Sequence, residues 1–247
     1  MIAFHLVFNV ALAALCIPLV HVVAELTHRL LPAAPMTQDE SQAKHLDPLA
    51  LPTPSLALTC AAREALRIGD FVEQMLTTLG RLMRTNHRAS ADEIRRLDDV
   101  VDSLYKQVKF YLTQVSRTPM GERDSRRWTD IISFTINLEQ VGDIIEKSAN
   151  DVVSKNIDRN RNFSDAGMQE LCDLHARLIS NLRLAMNVFI NNDVNDAEKL
   201  VTEKVKFREL ELVNYEKHLS RLADQTVQSI ETSSLHLDLM RDLKRVN

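Results

Sequence analysis

The sequence predicts an all-α protein, and three observations support this prediction. The chain has 247 residues with a 45% hydrophobic fraction, which is enough to bury a substantial core. Only 5 glycines, 7 prolines and 5% aromatic residues are present, so the turn and strand signals of β-rich folds are scarce. Beyond Ser55, apolar residues recur at spacings of three and four, which is the helical period. We expect a transmembrane helix over residues 1–31, a proline-rich connector over 32–54 and a helical bundle over 55–247.

The first segment is apolar enough to cross a membrane. Residues 1–24 contain no Asp, Glu, Lys or Arg. A helix of about 23 residues, each rising about 1.5 Å, spans roughly 35 Å, which exceeds a hydrocarbon core of about 30 Å. A signal peptide is the alternative, but the segment lacks a basic region before the apolar run and a clear cleavage site after it. The polar residues His5 and Asn9 lie one turn apart and indicate neighbouring membrane helices.

Five prolines follow this segment, at positions 32, 35, 48, 52 and 54. Proline restricts its own backbone and that of the residue before it, so the stretch is predicted to be extended and fairly stiff. The charges beside the membrane segment are too balanced to set its orientation. We interpret residues 32–54 as a connector and as the domain boundary.

Six helices are predicted in the bundle. The second has a regular apolar seam and begins with a capping box that starts at Ser90. The third carries a seam over residues 131–152, and Ser164 is the predicted N-cap of the fourth. The fifth is expected over about residues 196–230, and the sixth is expected to begin near Thr232 and to be truncated at residue 247.

The six helices are predicted to form two similar triplets. Residues 111–115 resemble residues 218–222, about 105 residues further along the chain, and a second pair of segments has nearly the same offset. A duplicated three-helix unit explains both similarities. Repeat one covers about residues 55–155, and repeat two covers about residues 164–247.

Composition and motifs exclude several classes of function. The formal net charge of −4 gives no basic stripe for binding nucleic acid. Cys16, Cys60 and Cys172 are far apart, which argues against a disulfide framework or a zinc site. The sequence has no glycine-rich phosphate loop, nucleophile elbow or Cys/His couple, so no enzyme activity is predicted.

Carboxylates carry the chemistry that the bundle offers. Three pairs have a spacing of four residues, which places each pair on one helix face; they are Asp98 with Asp102, Glu139 with Asp143, and Asp238 with Asp242. Clusters of carboxylate oxygens suit hard cations such as iron, manganese or magnesium. A solvated acidic face is the alternative, because roughly five such pairs arise by chance in a chain of this composition. Both interpretations stay open on spacing alone.

A resemblance to known families adds to this interpretation. Residues 138–143, followed by Glu146, resemble the Leu-Glu-Arg-Ile-Gly-Asp signature of PhoU-like domains, and residues 66–70 followed by Glu73 form a related run. PhoU-like domains are duplicated three-helix bundles associated with phosphate transport. Residues 5–9, the connector and the Arg63-Glu64 dipeptide resemble the closing part of bacterial sodium/phosphate cotransporters.

The resemblance implies a set of metal ligands, because some PhoU-like domains bind metal clusters through acidic residues spaced by four. The matching residues are Asp98, Asp102, Glu139, Asp143 and Glu146 in repeat one, and Glu209, Asp238 and Asp242 in repeat two. Repeat two departs from the pattern, because Lys244 replaces the signature glutamate and Asn247 replaces the glycine. The paired Gln-Ser-Ser motifs of the transport site do not occur in this sequence.

The resemblance therefore implies a regulatory domain and a last membrane helix that modulate sodium-dependent phosphate uptake. The expected partners are a transporter membrane domain, with its sodium and phosphate, and the membrane itself, but no nucleic acid. The expected location is the bacterial inner membrane, with the bundle on the cytoplasmic side. Two alternatives stay open: a free-standing, membrane-tethered regulator of phosphate signalling, and a structural bundle that forms a homodimer.

Overall fold

The structure, a computed structural model, describes His5, Phe8 and residues 40–247. Residues 40–247 contain six α-helices: α1 (Pro54–Thr85), α2 (Arg88–Val115), α3 (Glu122–Val152), α4 (Asp165–Asn191), α5 (Val194–Ala223) and α6 (Val227–Val246). Short helical turns at Pro48–Ala50 and Val153–Ile157 complete the regular structure of this range. The all-α prediction is confirmed for the described part of the chain.

The predicted transmembrane helix falls on residues 1–31, which lie outside the described residues except for His5 and Phe8. Both of these residues are helical and exposed. Asn9 is outside the described set, so the membrane helix stays a prediction. Among the helices that the structure describes, none has the length and apolarity that a membrane crossing requires. The chain divides into two compact units, residues 1–39 and residues 40–247.

The six helices pack as two triplets. Helices α1, α2 and α3 contact one another, and so do α4, α5 and α6. The triplets meet where α1 packs on α4 and where α3 packs on α6. This arrangement is the one that the predicted duplication requires. Helices α2 and α5 lie on the outside of their triplets, since neither contacts a helix of the other triplet.

Helix α1 forms the centre of the core. Its fully buried side chains include Ile68, Met75 and Leu79, spaced by seven and four residues along one face. The helix packs against α2, α3 and α4, so it is buried over most of its circumference. A long helix with many neighbours gives the bundle a rigid axis on which the other helices are positioned.

Side-chain caps or left-handed residues account for several of the helix ends. Ser164 caps α4 as predicted, because its hydroxyl accepts a hydrogen bond from the Gly167 N–H at 3.3 Å. Asp193 caps α5 by accepting from the Asn195 N–H at 2.7 Å. Asn86 and Asn192 end α1 and α4 in the left-handed region, with φ of 51° at both, which asparagine adopts more readily than most residues.

Three predicted boundaries are wrong. Helix α2 begins at Arg88 rather than at Ser90, which is buried within the first turn, so no capping box forms. Glu93 instead pairs with Arg81 of α1. The fifth helix ends at Ala223 and the sixth begins at Val227, because the chain turns at Gln225 with a φ of 55°.

The second half of the predicted connector is not a separate linker. Residues 40–53 lie on α1 and α2, and the compact unit begins at Glu40. Pro48 and Pro54 stand at the start of the short helical turn and of α1. The first N–H groups of a helix have no partner within the helix, so proline removes no hydrogen bond there. The prediction of an extended connector over 32–54 is therefore wrong for residues 40–54.

Candidate functional site

The predicted carboxylates of repeat one meet where α2 packs on α3. Helix α2 contributes Asp98 and Asp102, and α3 contributes Glu139, Asp143 and Glu146. Oxygen atoms of Asp102, Glu139 and Asp143 all lie within 4.8 Å of one another. We call these five residues the carboxylate cluster. The structure thus brings together, from two helices, the acidic residues that were predicted as metal ligands of repeat one.

Gly142 lets the two helices approach at this cluster. A Cβ atom at residue 142 would lie 3.0 Å from the Asp98 Oδ1 atom, 3.6 Å from a Val101 methyl and 3.7 Å from the Met75 methyl. Any larger side chain would therefore displace the Asp98 carboxylate. The glycine of the signature is explained by this close approach, since its backbone is ordinary helix.

The cluster holds more negative charge than its surroundings neutralise. Burial, together with the smaller effects of the neighbouring Glu146 and Asp143 charges, raises the pKa of Asp98 to about 7. Burial also raises the pKa of Glu139, with smaller contributions from Asp143 and Asp102. Such shifts mark a place where a bound cation would relieve desolvation and repulsion together.

Basic residues reach only the edges of the cluster. Lys106 Nζ lies 3.0 Å from Asp102 Oδ2, and Arg95 Nε lies 3.6 Å from Glu146 Oε1. Within residues 40–247, no basic side chain forms an ion pair with Asp98, Glu139 or Asp143. These carboxylates could hold a hard cation such as magnesium, manganese or iron, which all bind oxygen ligands.

The acidic residues predicted in repeat two do not form a second cluster. Asp242 is buried and pairs with Lys147 of α3 at 2.7 Å. Asp238 pairs with Lys155 at 2.9 Å, and the hydrogen bond from Lys155 is the main cause of its lowered pKa. Glu209 lies exposed on α5. These aspartates join α6 to α3 and to the helical turn at Val153–Ile157, so their charges are already neutralised by lysines.

The related run in α1, residues 66–70 followed by Glu73, packs against α4. Gly69 faces Met186 of α4, whose sulfur would lie 2.6 Å from a Cβ atom at residue 69. Glu73 accepts hydrogen bonds from Arg183 of α4, at 2.9 Å from Nε and 2.6 Å from Nη2. The run therefore fixes the contact between the two triplets, and its glycine permits close packing as Gly142 does.

Sequence reasoning missed the role of Glu64, which holds the segment of residues 40–47 on the bundle. The Glu64 side chain is fully buried, and its Oε2 atom accepts from the N–H groups of Lys44 and His45 at 3.0 and 2.8 Å. Arg67 Nη1 lies 2.7 Å from the other carboxylate oxygen and 2.8 Å from the Gln42 carbonyl oxygen. The sequence signal was an acidic residue on the buried face of an alanine-rich helix.

Helix α2 also holds residues 40–47, which we call the docked segment. The Ala43 N–H donates to Gln107 Oε1 at 3.0 Å, and Gln107 Nε2 donates to the Ser41 carbonyl at 2.7 Å. The Tyr111 hydroxyl donates to the Asp47 carbonyl at 2.7 Å. Burial raises the pKa of Tyr111 to about 12, so this donor keeps its proton throughout the physiological range.

A buried polar network in the second triplet also escaped prediction. Arg221 of α5 donates to both Glu170 carboxylate oxygens, at 2.6 and 2.7 Å. The imidazoles of His218 and His236 stack with centroids 4.5 Å apart. Burial, together with the smaller effects of His218 and Arg221, lowers the pKa of His236 to about 3, so this ring is neutral at physiological pH. Spacing along the sequence gives no sign of this network, because its members lie on three different helices.

Comparison with known proteins shows what the bundle is similar to. Residues 65–152 match the family model described as the PhoU domain. The first triplet is therefore similar in sequence to PhoU domains. Two solved structures have the same fold: PhoU from Pseudomonas aeruginosa, with a TM-score of 0.68 over 76% of this chain and 89% of that one, and 15% identity; and the phosphate transport system regulatory protein PhoU from Streptococcus pneumoniae, with a TM-score of 0.66 over 78% and 89%, and 16% identity.

Longer relatives match along the whole chain. "Putative inorganic phosphate export protein YjbB" of Escherichia coli strain K12 is 41% identical over 246 residues, which is 100% of this chain and 45% of the relative. The protein of the same name from Salmonella typhimurium strain LT2 is 42% identical over 246 residues, with the same coverage. The chain thus spans less than half of the length of these relatives. The PhoU-like bundle and the N-terminal segment are similar to one continuous part of them.

Proposed function

We propose that this chain is the regulatory part of a sodium-dependent phosphate transport protein: a last membrane helix followed by a PhoU-like bundle that adjusts phosphate flux. The observation that carries this proposal is the 41% identity to YjbB over 246 residues. The proposed partner is the transporter membrane domain, through which sodium and phosphate pass. The bundle is proposed to lie on the cytoplasmic side of the bacterial inner membrane. No catalytic step is proposed.

The direction of transport is part of the test. The resemblance to cotransporters implies uptake, whereas the YjbB relatives are named for export. Either direction is compatible with a domain that alters flux through a membrane domain. The proposal therefore concerns control of phosphate flux, and the assay measures entry and exit separately.

Regulation is proposed to begin with a cation at the carboxylate cluster. The cluster joins α2 to α3, so a bound cation would draw the two helices together against their present repulsion. Mg²⁺, Mn²⁺ and iron are the candidates that suit carboxylate oxygens. The alternative is a solvated acidic face that binds no specific ion.

The docked segment supplies a path from the cluster towards the membrane segment. Helix α2 carries Asp98 and Asp102 and, on a neighbouring face, Ser103 and Gln107, which bind the Ser41 carbonyl at 3.0 and 2.7 Å. A small movement of α2 would therefore change the hydrogen bonds that hold residues 40–47. We propose that this coupling transmits cation binding to the membrane domain.

The test is a double substitution, Glu139→Ala with Asp143→Ala, in the complete transport protein. The variant should lose cation bound to the purified protein, measured by elemental mass spectrometry. It should also lose the response of radiolabelled phosphate flux to external phosphate. The matched control is Glu122→Ala with Asp130→Ala, which removes two exposed carboxylates of α3 outside the cluster.

Unchanged cation content and unchanged flux control in the double variant would contradict the proposal. Loss of cation with normal flux control would separate the two steps, and it would favour a membrane-tethered regulator that acts on a separate partner. A change in the control variant equal to that in the double variant would show a general effect of charge on α3.

A further inference from the structure

One end of the first triplet leaves apolar side chains in contact with solvent. Between residues 40 and 152, the exposed large apolar side chains are those of Leu49, Leu56 and Phe110, which are 87, 52 and 68% exposed. We call these three residues the apolar patch. All other large apolar side chains in this range are at least partly buried. Exposed apolar side chains that are grouped at one place indicate an interaction surface.

Contacts between elements bring the apolar patch to one end of the bundle. The Tyr111 hydroxyl donates to the last carbonyl of the docked segment at 2.7 Å, two residues before Leu49. Phe110 precedes Tyr111 on α2. Cys60 of α1, one helical turn after Leu56, lies close enough to Tyr111 to affect its pKa. The three exposed side chains therefore belong to backbone segments that are neighbours in the fold.

A cavity of about 830 Å³ opens at the same end, between the start of α1, the start of α3 and the end of α4. Ser55 lines it from α1, next to Leu56 of the apolar patch. Ile190 lines it from α4 and is 51% exposed. The lining also contains four arginines: Arg63, Arg123, Arg126 and Arg127. Arginines and exposed apolar side chains thus border one cavity.

Two of these arginines have no acidic partner. Arg126 pairs with Glu122, and Arg127 donates to the Phe189 carbonyl at 3.1 Å. Within residues 40–247, Arg63 and Arg123 form no ion pair. The lining also has three carboxylates, which leave an excess of one positive charge: Glu122, Asp124 and Asp130. A planar guanidinium binds two oxygens of a phosphate group at once, so the cavity suits a phosphate-bearing anion.

An anionic lipid fits both features better than free phosphate does. Free phosphate would use the arginines, but it would leave the apolar patch without a partner. A phospholipid supplies a phosphate group and, beside it, the apolar boundary of a bilayer. Lys109 and Arg117, both exposed, lie on either side of Phe110 in the sequence and add positive charge near the patch. Exposed Phe and Leu side chains among Lys and Arg are typical of segments that bind anionic membrane surfaces.

We propose that this end of the bundle docks on an anionic lipid surface, with a lipid phosphate in the arginine-lined cavity and the apolar patch against the bilayer interface. The inference rests on the proposed membrane helix, because that helix would keep the bundle near a bilayer. The residues between position 31 and Glu40 reach at most about 28 Å. Such a short tether gives a high effective lipid concentration, so a weakly binding surface is enough for docking.

Fluorescence quenching by lipid headgroups tests the docking. The full chain is used, with its three cysteines replaced by serine and a fluorophore on Thr113→Cys, an exposed position of α2 near Phe110. It is reconstituted into nanodiscs of phosphatidylcholine, with or without phosphatidylglycerol, that contain a lipid with a nitroxide on its headgroup. The matched control is Ala89→Cys, exposed at the other end of α2, about 36 Å away along the helix axis. We expect several-fold stronger quenching at residue 113 in the anionic discs.

Charge reversal tests the cavity. Arg63→Glu with Arg123→Glu should shift the docking equilibrium towards the undocked bundle by at least about tenfold in anionic discs, because each cationic side chain adds to the attraction. The matched control is Arg159→Glu with Lys217→Glu, which makes the same change of net charge at two exposed residues outside the cavity. This control should keep the quenching at residue 113. A circular dichroism melt checks that every variant is folded.

The apolar patch and the source of the phosphate group have separate tests. Leu49→Ser with Phe110→Ser leaves the charge unchanged and should also reduce the quenching at residue 113. Inorganic phosphate is then added at constant ionic strength, and we expect it to leave the quenching unchanged. Calorimetry on the detergent-solubilised chain should show no binding of inorganic phosphate. Saturable binding that is lost in the Arg63→Glu, Arg123→Glu variant would assign the cavity to the free anion and overturn the lipid proposal.

Three further results would overturn the proposal: equal quenching at residues 113 and 89, equal quenching in anionic and uncharged discs, or an equal loss in the two charge-reversal variants. Incorporation of the chain into discs is scored separately by size exclusion. A chain that stays outside the discs would contradict the membrane helix of the proposed function. The same quenching assay with preformed anionic discs added to that chain would still decide whether this end of the bundle docks.

Discussion

At the scale of single residues, local spacing predicted the carboxylate cluster but not the docked segment. Asp98 with Asp102 and Glu139 with Asp143 each share a helix face, and the sequence alone reveals that. The burial of Glu64 has a signal in the sequence, but its partners do not. They are backbone N–H groups about twenty residues earlier, in a segment whose prolines predicted an extended connector. A pattern of side chains contains no signal for partners that are backbone groups.

The first prediction concerns Glu64→Gln. The amide oxygen can still accept from both backbone N–H groups, but a buried NH2 group then replaces the oxygen that pairs with Arg67. We expect the free energy of unfolding to fall by about 1–3 kcal/mol, measured by urea denaturation. Glu73→Gln, which breaks the exposed Arg183 ion pair, should cost less than about 1 kcal/mol. Equal losses in the two variants would contradict the structural role of Glu64.

The second prediction concerns pH. The pKa of Asp98 is raised from 3.8 to about 7, so ionisation of this group in the folded protein is resisted. Its stabilising contribution is full below about pH 4 and is lost as the pH rises through about 7. His236, with its pKa lowered from 6.5 to about 3, acts in the opposite direction over an overlapping range.

The measurement therefore compares the free energy of unfolding of the wild type with that of Asp98→Asn at each pH. In EDTA, Asp98→Asn should gain stability relative to the wild type as the pH rises from 4 to 7, with no further change above about 8. Denaturant melts at five pH values suffice. A constant difference across that range would contradict the raised pKa. Adding Mn²⁺ should reduce the difference if the cluster binds this cation.

At the scale of elements, the six helices predicted in the bundle exist, and the errors among them are confined to their ends. Ser164 was predicted correctly as a cap, because its neighbours give the usual signal. The turn at residues 224–226 was missed because Gln225, not glycine or asparagine, takes the left-handed conformation. Where the α5–α6 turn falls is decided by packing of the second triplet, which a local pattern does not contain.

The third prediction tests the contact between α1 and α4. A Cβ at residue 80 would lie 2.5 Å from His175 Cε1, and this ring is fixed by its hydrogen bond to the Leu76 carbonyl at 2.6 Å. Gly80→Ala should therefore destabilise the bundle by about 1–3 kcal/mol, despite the better helix propensity of alanine. The control is Gly121→Ala, where no atom lies within 4 Å and the loss should be below about 1 kcal/mol. A more stable Gly80→Ala variant would contradict this packing.

At the scale of the whole molecule, the two triplets share a fold but differ in electrostatics. The sequence predicted the duplication and noted Lys244 in place of the signature glutamate. It could not reveal that Lys147 of α3 and Lys155 of the following helical turn reach across to Asp242 and Asp238. Ion pairs between the two repeats depend on how the repeats pack. The absence of a second carboxylate cluster in repeat two was therefore visible only in the structure.

The fourth prediction follows from this asymmetry. A cation that binds the folded bundle and not the unfolded chain stabilises it by about 2.7 kcal/mol at a hundredfold excess over Kd. Adding Mn²⁺ should raise the Tm of the wild-type bundle, and the Glu139→Ala, Asp143→Ala variant should not respond. Asp238→Asn should keep the full response, because this residue lies outside the cluster. Calorimetric scans with and without Mn²⁺ measure all three proteins.

The backbone hydrogen bonds of the docked segment predict how well this region tolerates substitution. From Ser41 to Asp47, the hydrogen bonds described above use peptide N–H and C=O groups of the segment, while the recognising side chains belong to α1 and α2. Changes of side chain in the segment therefore leave these bonds in place. Proline is the exception, because it removes the N–H. In a saturation library at Ala43, which donates to Gln107, we expect proline to be depleted far more than any polar or small residue.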